Sequence, residues 1–442
     1  MSQLNVIIYK MESLNLINKS ITSLVELDLP TKLLALNIEH NQLSNLVGIE
    51  KLTNLTKLII GNNELTTLAG IENLIKLEYL DIEYNRLKNL TFIKQLINLT
   101  ELNIKCNYIT SLVNISQLTN LTILNVRYNK LTTLAGIENL INLKELCVSN
   151  NRITSLVGIE SLVNLTELHV TDNKLTNIAC IGQLVNLIEL YVEFNQLTSL
   201  AGVESLANLT TLHVTNNKLT SIDYNQLSGL SKLTGLYLDS NQLTSIAGIG
   251  KLVNLTSLCL NSNKLTSLAD IGQLVNLTDL YLNVNQLTSV AGIGKLVNLT
   301  SLCLNSNKLT SLADIGQLVN LTKLYVTNTK LTSIVGIEYL VNLKTLCIED
   351  SPQLKSLIRI YKLTESTYVR YDMDSLAPVN KLNLIKYIEK NKFNNFNYWQ
   401  LCRKFPRHFK FSIFHILKEL VLTNFKHELR KNNFIKDTYP II

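Results

Sequence analysis

The chain has 442 residues, 46% of them hydrophobic and 17% charged, with 16 Gly, 5 Pro and a formal net charge of +7. So little Gly and Pro excludes collagen-like and Gly/Pro-rich disordered chains, and no run of about 18 apolar residues is present to span a membrane. Seven Cys form no CxxC pair, and the opening residues lack a basic segment, an apolar core and a small-residue cleavage site; together these point to reduced thiols in an intracellular, cytoplasmic setting.

In chain order, residues 1–13 come first. Leu4, Val6 and Ile8 alternate there, as in a strand that covers one end of a larger stack. Residues 14–354 then carry one repeated pattern, LxxLxLxxNxLTxLxGIxxLxN. Its Asn recurs every 22 residues at Asn41, Asn63, Asn85, Asn107, Asn129, Asn151, Asn173, Asn195 and Asn217. A single 24-residue step leads to Asn241, after which Asn263, Asn285 and Asn307 resume the spacing. Lys19, Thr329 and Ser351 stand at the Asn position in three further turns, which gives sixteen turns in all. Asn241–Thr278 and Asn285–Thr322 agree at 37 of 38 positions, the signature of a duplicated two-turn unit.

The pattern has a physical reading. LxL has period 2, so both apolar residues of a short strand point to one side and the residue between them to the other. One turn cannot bury enough apolar surface to offset its own ordering, so neighbours must share strand pairing and core. The recurring Asn has an amide that both donates and accepts, and it is expected to join adjacent turns in a buried structural ladder. The longer step, at 221–233, adds two residues on the side opposite the strands, where local curvature should change.

Leu143, Leu146, Val148, Asn151, Ile153, Leu156 and Ile159 show the motif within a single turn. This resembles the 22-residue class of leucine-rich repeat, as in internalins and in the leucine-rich-repeat regulator of protein phosphatase 1, over about 340 of the 442 residues. The resemblance implies an α/β-type repeat solenoid. It would be a right-handed curved coil with a parallel β-sheet on its concave side and short 3-10 or irregular turns on its convex side. It implies architecture, not phosphatase regulation or cell invasion.

On the expected concave face the central ladder position reads Asn37, Ile59, Asp81, Asn103, Asn125, Cys147, His169, Tyr191, His213, Tyr237, Cys259, Tyr281, Cys303, Tyr325 and Cys347. Glu101, Glu145, Glu167 and Glu189 lie two positions earlier, and Glu193 two positions later. The candidate partner-binding residues are therefore His169, Tyr191, Glu193, Phe194, His213, Tyr237, Tyr281 and Tyr325. Tyr supplies contact area with a polar tip, and the acidic neighbours suit a protein partner with basic and apolar groups. Cys259, Cys303 and Cys347 fall on alternate strands, roughly 9.6 Å apart, beyond the ~7 Å reach of a disulfide. Neither they nor His169 and His213 are expected to hold a metal.

After the ladder Asn a second row runs Arg86, Lys130, Arg152, Lys174, Lys218, Lys264, Lys308 and Lys330, read as a solvated rim. With an acidic concave face beside it, nucleic-acid binding by the solenoid is not expected. The NLT tripeptides recur at one repeat position and read as repeat consensus, not as glycosylation sites. GIGK at 248–251 and 292–295 lacks the rest of a phosphate loop. No catalytic signature is present, an open sheet offers no water-excluded pocket, and neither an enzyme nor a cofactor is expected.

The composition changes beyond Pro352. Residues 355–442 hold 17 Lys and Arg against 7 Asp and Glu, whereas residues 1–354 hold 24 against 27. Eight of the ten Phe and the single Trp399 fall in this last part. Leu382, Ile385 and Ile388, then Phe414, Leu417, Val421, Phe425 and Leu429, have helical spacing and predict a small helical region. It would be either a cap on the last turn or a basic module for nucleic acid, an acidic protein or an anionic membrane. The expectation is thus a monomeric, non-catalytic protein–protein interaction scaffold. The alternative is a tether that works through 355–442 with the solenoid as spacer.

Overall fold

The computed structural model of the chain describes residues 12–224, 226–354, 363 and 368–370. The proposed capping strand around Leu4, Val6 and Ile8 and the two proposed helices within 379–430 lie outside the described residues. Contacts divide the chain into two units. The described part of the first comprises 12–244 and Lys251–Cys259; that of the second comprises Ser245–Gly250 and most residues from 260 onward.

The first unit is a stack of coils, each giving one three-residue strand to a parallel ladder. The strands are β1 (Ser13–Asn15), β2 (Ala35–Asn37), β3 (Lys57–Ile59), β4 (Tyr79–Asp81), β5 (Glu101–Asn103) and β6 (Ile123–Asn125), followed by β7 (Glu145–Cys147), β8 (Glu167–His169), β9 (Glu189–Tyr191), β10 (Thr211–His213), β11 (Gly235–Tyr237) and β12 (Ser257–Cys259). Each central Leu pairs with the next central Leu, as Leu14 with Leu36 and Leu168 with Leu190. The register carries through the 24-residue step, where Leu212 pairs with Leu236. There the two added residues are taken up in the turn, and Tyr224 is buried at 1% exposure.

The second unit repeats the scheme with β13 (Asp279–Tyr281), β14 (Ser301–Cys303), β15 (Lys323–Tyr325), β16 (Thr345–Cys347) and β17 (Tyr368–Arg370). The last strand was not foreseen. It lies beyond Pro352, in the stretch that composition assigns to a helical region, and pairs in parallel with β16.

The core follows from the period. Leu36, Ile38, Leu43, Leu46, Ile49 and Leu52 of one coil are all at most 1% exposed, and the same positions are buried in coil after coil. Opposite the strands the chain runs through short 3-10 turns such as Ile49–Lys51 and Ile71–Asn73, each burying one Ile. Where the turn reads GIE, the Glu carboxylate accepts the N–H of the left-handed Gly, as Glu50 does from Gly48 at 2.8 Å. In the GIGK turn a Gly replaces that Glu, and Gly248 donates instead to Asp270 of the next coil. GIGK is thus a turn, in line with the sequence reading.

The ladder Asn closes each coil against the one before. In the coil of Asn173, Oδ1 accepts the N–H of Ile153 at 3.0 Å, and Nδ2 donates to Val148 O at 3.1 Å and Val170 O at 3.0 Å. Twelve of the thirteen are buried at 5–8% exposure; Asn151 is half-buried with the same bonds. Thr329 and Ser351, which take the Asn position at the end of the repeat, approach each other at 3.0 Å between hydroxyls. A second amide row comes from the NLT tripeptides: Asn98 donates to Ile75 O and Asn164 to Ile141 O, each across one coil.

The residue before each ladder position adopts left-handed backbone. Asn and Asp suit that conformation, but Tyr84, Tyr128, Phe194 and Val284 also occupy it, at φ 48°, 54°, 52° and 56°. A β-branched residue there is strained, and Val284 is 52% exposed, so no burial offsets the strain. Val284→Asn should raise the unfolding free energy by about 1 kcal/mol in urea titration; a loss of stability would contradict this backbone assignment.

Candidate functional site on the strand face

The sheet turns its third strand position outward, and the parallel register puts these side chains one above another. In the first unit this builds a column of four rings from β8 to β11. His169 stacks on Tyr191 with centroids 4.3 Å apart and planes at 7°. Tyr191 stacks on His213 at 4.6 Å and 17°, and His213 on Tyr237 at 4.1 Å and 3°. The separations follow from the ~4.8 Å strand spacing. Face-to-face stacking hides the ring faces against each other, so the column presents ring edges and polar tips to solvent, not the broad faces that composition alone suggests.

Acidic residues flank the column. Glu145, Glu167 and Glu189 are direct register partners on β7, β8 and β9. Like charges on neighbouring strands repel, and each of these carboxylates is tied to a group two residues on along the same face. Cys147 Sγ donates to Glu145 at 3.4 Å, His169 Nε2 lies 2.5 Å from Glu167, and the Tyr191 hydroxyl donates to Glu189 at 2.5 Å. Glu193 accepts from Thr171 and lies 3.4 Å from His213 Nδ1.

Titration follows from these contacts. The bond to Glu189, then burial, then the charges of Glu189, Glu167 and Glu193 hold the Tyr191 phenol above its ordinary range. Burial lowers the His213 pKa; His169 adds to that, while Glu193, Glu189 and Asp239 oppose it. Burial, reinforced by Glu145, pushes the Cys147 thiol up to about 12. Burial and Asp279 push Cys303 up to about 11. Thiols so shifted stay protonated near neutral pH, unlike the thiolates that bind metal.

A pH effect follows. A histidine whose folded pKa lies below its unfolded value favours the folded state fully above the unfolded pKa, and that stability is lost as pH falls through the folded value. The chain should therefore lose stability as pH falls below the ordinary histidine value of about 6.5, and the loss should be smaller in His213→Gln. An unchanged pH slope in that variant would contradict the assignment.

The predicted residues are distributed unevenly. His169, Tyr191, His213 and Tyr237 form the column, with Glu193 beside it. Phe194 is outside the column, on the neighbouring rim, left-handed and 54% exposed. Tyr281 and Tyr325 are on β13 and β15 of the second unit with Cys303 between them, and the Tyr281 hydroxyl lies 3.5 Å from Asp279. Sequence reading left out the exposed rings Tyr84, Tyr108 and Tyr128 on the same rim, which a tally of positions adjoining the ladder Asn would have found.

Comparison with known proteins fits this architecture. The leucine rich repeat family model matches residues 185–243 and 207–265, and the two-copy model matches 53–95, 141–181 and 275–317. No curated protein matches the chain by sequence. Among solved structures, a leucine-rich-repeat protein of Leptospira interrogans is 34% identical, with a TM-score of 0.75 over 82% of this chain and 96% of that one. Internalin F of Listeria monocytogenes is 26% identical, with a TM-score of 0.62 over 67% of this chain and 88% of that one. The functional domain of internalin J from the same organism is 28% identical, with a TM-score of 0.67 over 82% of this chain and 73% of that one. Repeat period, parallel register, Asn ladder and this similarity agree: the chain belongs to the leucine-rich repeat proteins.

Proposed function

We propose that this chain is a non-catalytic scaffold that holds a protein partner against its strand face. Leucine-rich repeat proteins commonly mediate protein–protein interaction. The observation that carries the reading here is the column His169–Tyr191–His213–Tyr237 with Glu145, Glu167, Glu189 and Glu193 beside it. Its preordered rings lose little side-chain freedom on contact, and its carboxylates select a partner segment with Lys or Arg and apolar side chains. Cys106, Cys147, Cys180 and Cys303 are free thiols, which suits work in a reducing, intracellular compartment.

The test is capture from native cell extract by the full chain and by Tyr191→Ala/Tyr237→Ala. The expected result is a partner that the wild type retains and the double variant loses, with both proteins giving the same folded circular dichroism spectrum. An identical set of captured proteins would remove the strand face as the binding surface.

The charge imbalance of 355–442 supports a second reading, a tether to nucleic acid or anionic membrane. It predicts salt-dependent binding of the full chain to DNA or anionic vesicles, abolished by deleting 371–442. Binding absent at low salt would dismiss it.

A further inference from the structure

We propose that the rim beside the strand face carries a second docking site in the first unit, opposite in charge to the column, for an acidic peptide segment of a protein partner. Its core is three tyrosines on consecutive coils. Tyr84 precedes Asn85, Tyr108 follows Asn107 and Tyr128 precedes Asn129; they are 45%, 43% and 47% exposed. Tyr84 and Tyr128 hold left-handed backbone where other coils use Asn62, Asn150, Asp172 and Asn216. A large ring there strains the backbone and leaves apolar surface in water, so the fold gains nothing evident from it.

Each ring carries a cation. Lys105 Nζ lies 5.0 Å from the Tyr84 centroid, Lys130 Nζ 4.6 Å from that of Tyr108, and the Arg127 guanidinium 5.8 Å from that of Tyr128. Glu83 neutralises Lys105 at 3.7 Å, and Glu64 neutralises Arg86 at 3.2 Å. Arg127 and Lys130 have no such carboxylate among the described residues, and Arg127 Nε is buried without a hydrogen-bond partner. Arg152 extends the positive row at the next coil. The surface is therefore a ring-backed guanidinium and ammonium pair outside the salt bridges of the described residues; with Nε covered, a carboxylate would be gripped through the terminal guanidinium nitrogens of Arg127 and flanked by an apolar side chain among the rings.

Charge pattern favours a peptide over a nucleic acid. Glu64 and Glu83 interrupt the positive surface, and Glu101 and Glu145 border it on β5 and β7. A phosphate backbone following the coils would meet these carboxylates on either side of Arg127. A peptide can place its acids at Arg127 and Lys130 alone. The proposal rests on the reading of the chain as a protein-binding scaffold, but it uses none of the column residues.

The test uses the full chain and a fluorescein-labelled 12-residue peptide of alternating Glu and Leu that carries one benzophenone. Expected results are binding that weakens with salt, photolabelling within 84–152, and at least tenfold weaker binding by Arg127→Gln/Lys130→Gln. Tyr128→Asn suits the left-handed backbone better; it should bind severalfold more weakly while melting at the same or a higher temperature. Tyr191→Ala/Tyr237→Ala should bind the peptide as the wild type does, so loss of the column reading and loss of this one are separable. Labelling confined to 355–442, a change under twofold in the Arg127/Lys130 variant, or a single-stranded DNA of equal charge competing equally well and losing equally from that variant would overturn the proposal.

Discussion

Asn173→Ala will lower the unfolding free energy by about 2–4 kcal/mol, from ~1–3 kcal/mol for the buried Ile153 N–H left unpaired and ~0.5–1.5 kcal/mol for each bond to a carbonyl lost. The side chain removed is 7% exposed and bridges two coils through the N–H of Ile153 and the carbonyls of Val148 and Val170. Val148 O and Val170 O keep the bonds donated by Asn151 and Asn195, so truncation leaves the Ile153 N–H as the unpaired group. Asn173→Asp separates the two halves of the amide. It keeps the acceptor for Ile153 but turns a carboxylate toward two carbonyl oxygens, which raises its folded pKa. Such a group favours the folded state below its unfolded pKa and loses that contribution as pH rises through the folded value. Asn173→Asp should therefore be about as damaging as Ala at pH 7 and recover part of the loss near pH 4. Urea titrations at both pH values measure this; a loss under about 1 kcal/mol for Ala would mean that the ladder adds little.

The second large effect is at Gly136. Its φ is 106°, and an added Cβ would be 2.5 Å from Leu112 O and 2.6 Å from Val113 Cα, both backbone atoms that cannot rotate away. Gly48 has nearly the same φ, 103°, but its Cβ would meet nothing nearer than 3.6 Å. Both substitutions to Ala incur the left-handed penalty of ~1–2 kcal/mol. Only Gly136→Ala must also move the neighbouring coil, so its total loss should exceed that of Gly48→Ala by at least about 1–2 kcal/mol. Thermal melts of the two variants side by side give that difference directly. Equal melting temperatures would show that the coils are less closely packed at this turn than the structure describes.

Much of the fold is legible from residue spacing because one physical requirement repeats. Leu36, Leu58 and Leu80 must pair in register, and Ile38, Ile60 and Ile82 must share one core, so the 22-residue period encodes both. The Asn ladder is legible for the same reason: a buried bend needs an amide in every coil. The site is less so. Composition shows which residues share the face, but whether His213 lies flat against Tyr191 and Tyr237 depends on rotamers set by coils 22 and 24 residues away. Phe194 reads as part of the aromatic stripe until its left-handed backbone sends it to the rim. Tyr84, Tyr108 and Tyr128 occupy two different repeat positions, so neither position alone shows a cluster. Strand β17 follows a break in the repeat and has no periodic signal to announce it.

The strand face, not the turns, is expected to meet the partner. Hydroxyl-radical footprinting of the full chain with and without its captured partner tests this at the level of side chains. Reduced oxidation is expected at His169, Tyr191, Phe194, His213 and Tyr237, with the turn-side residues Ile97, Val113 and Val157, all more than half exposed, oxidised as before. Protection at Ile97, Val113 and Val157 with the column left reactive would contradict it.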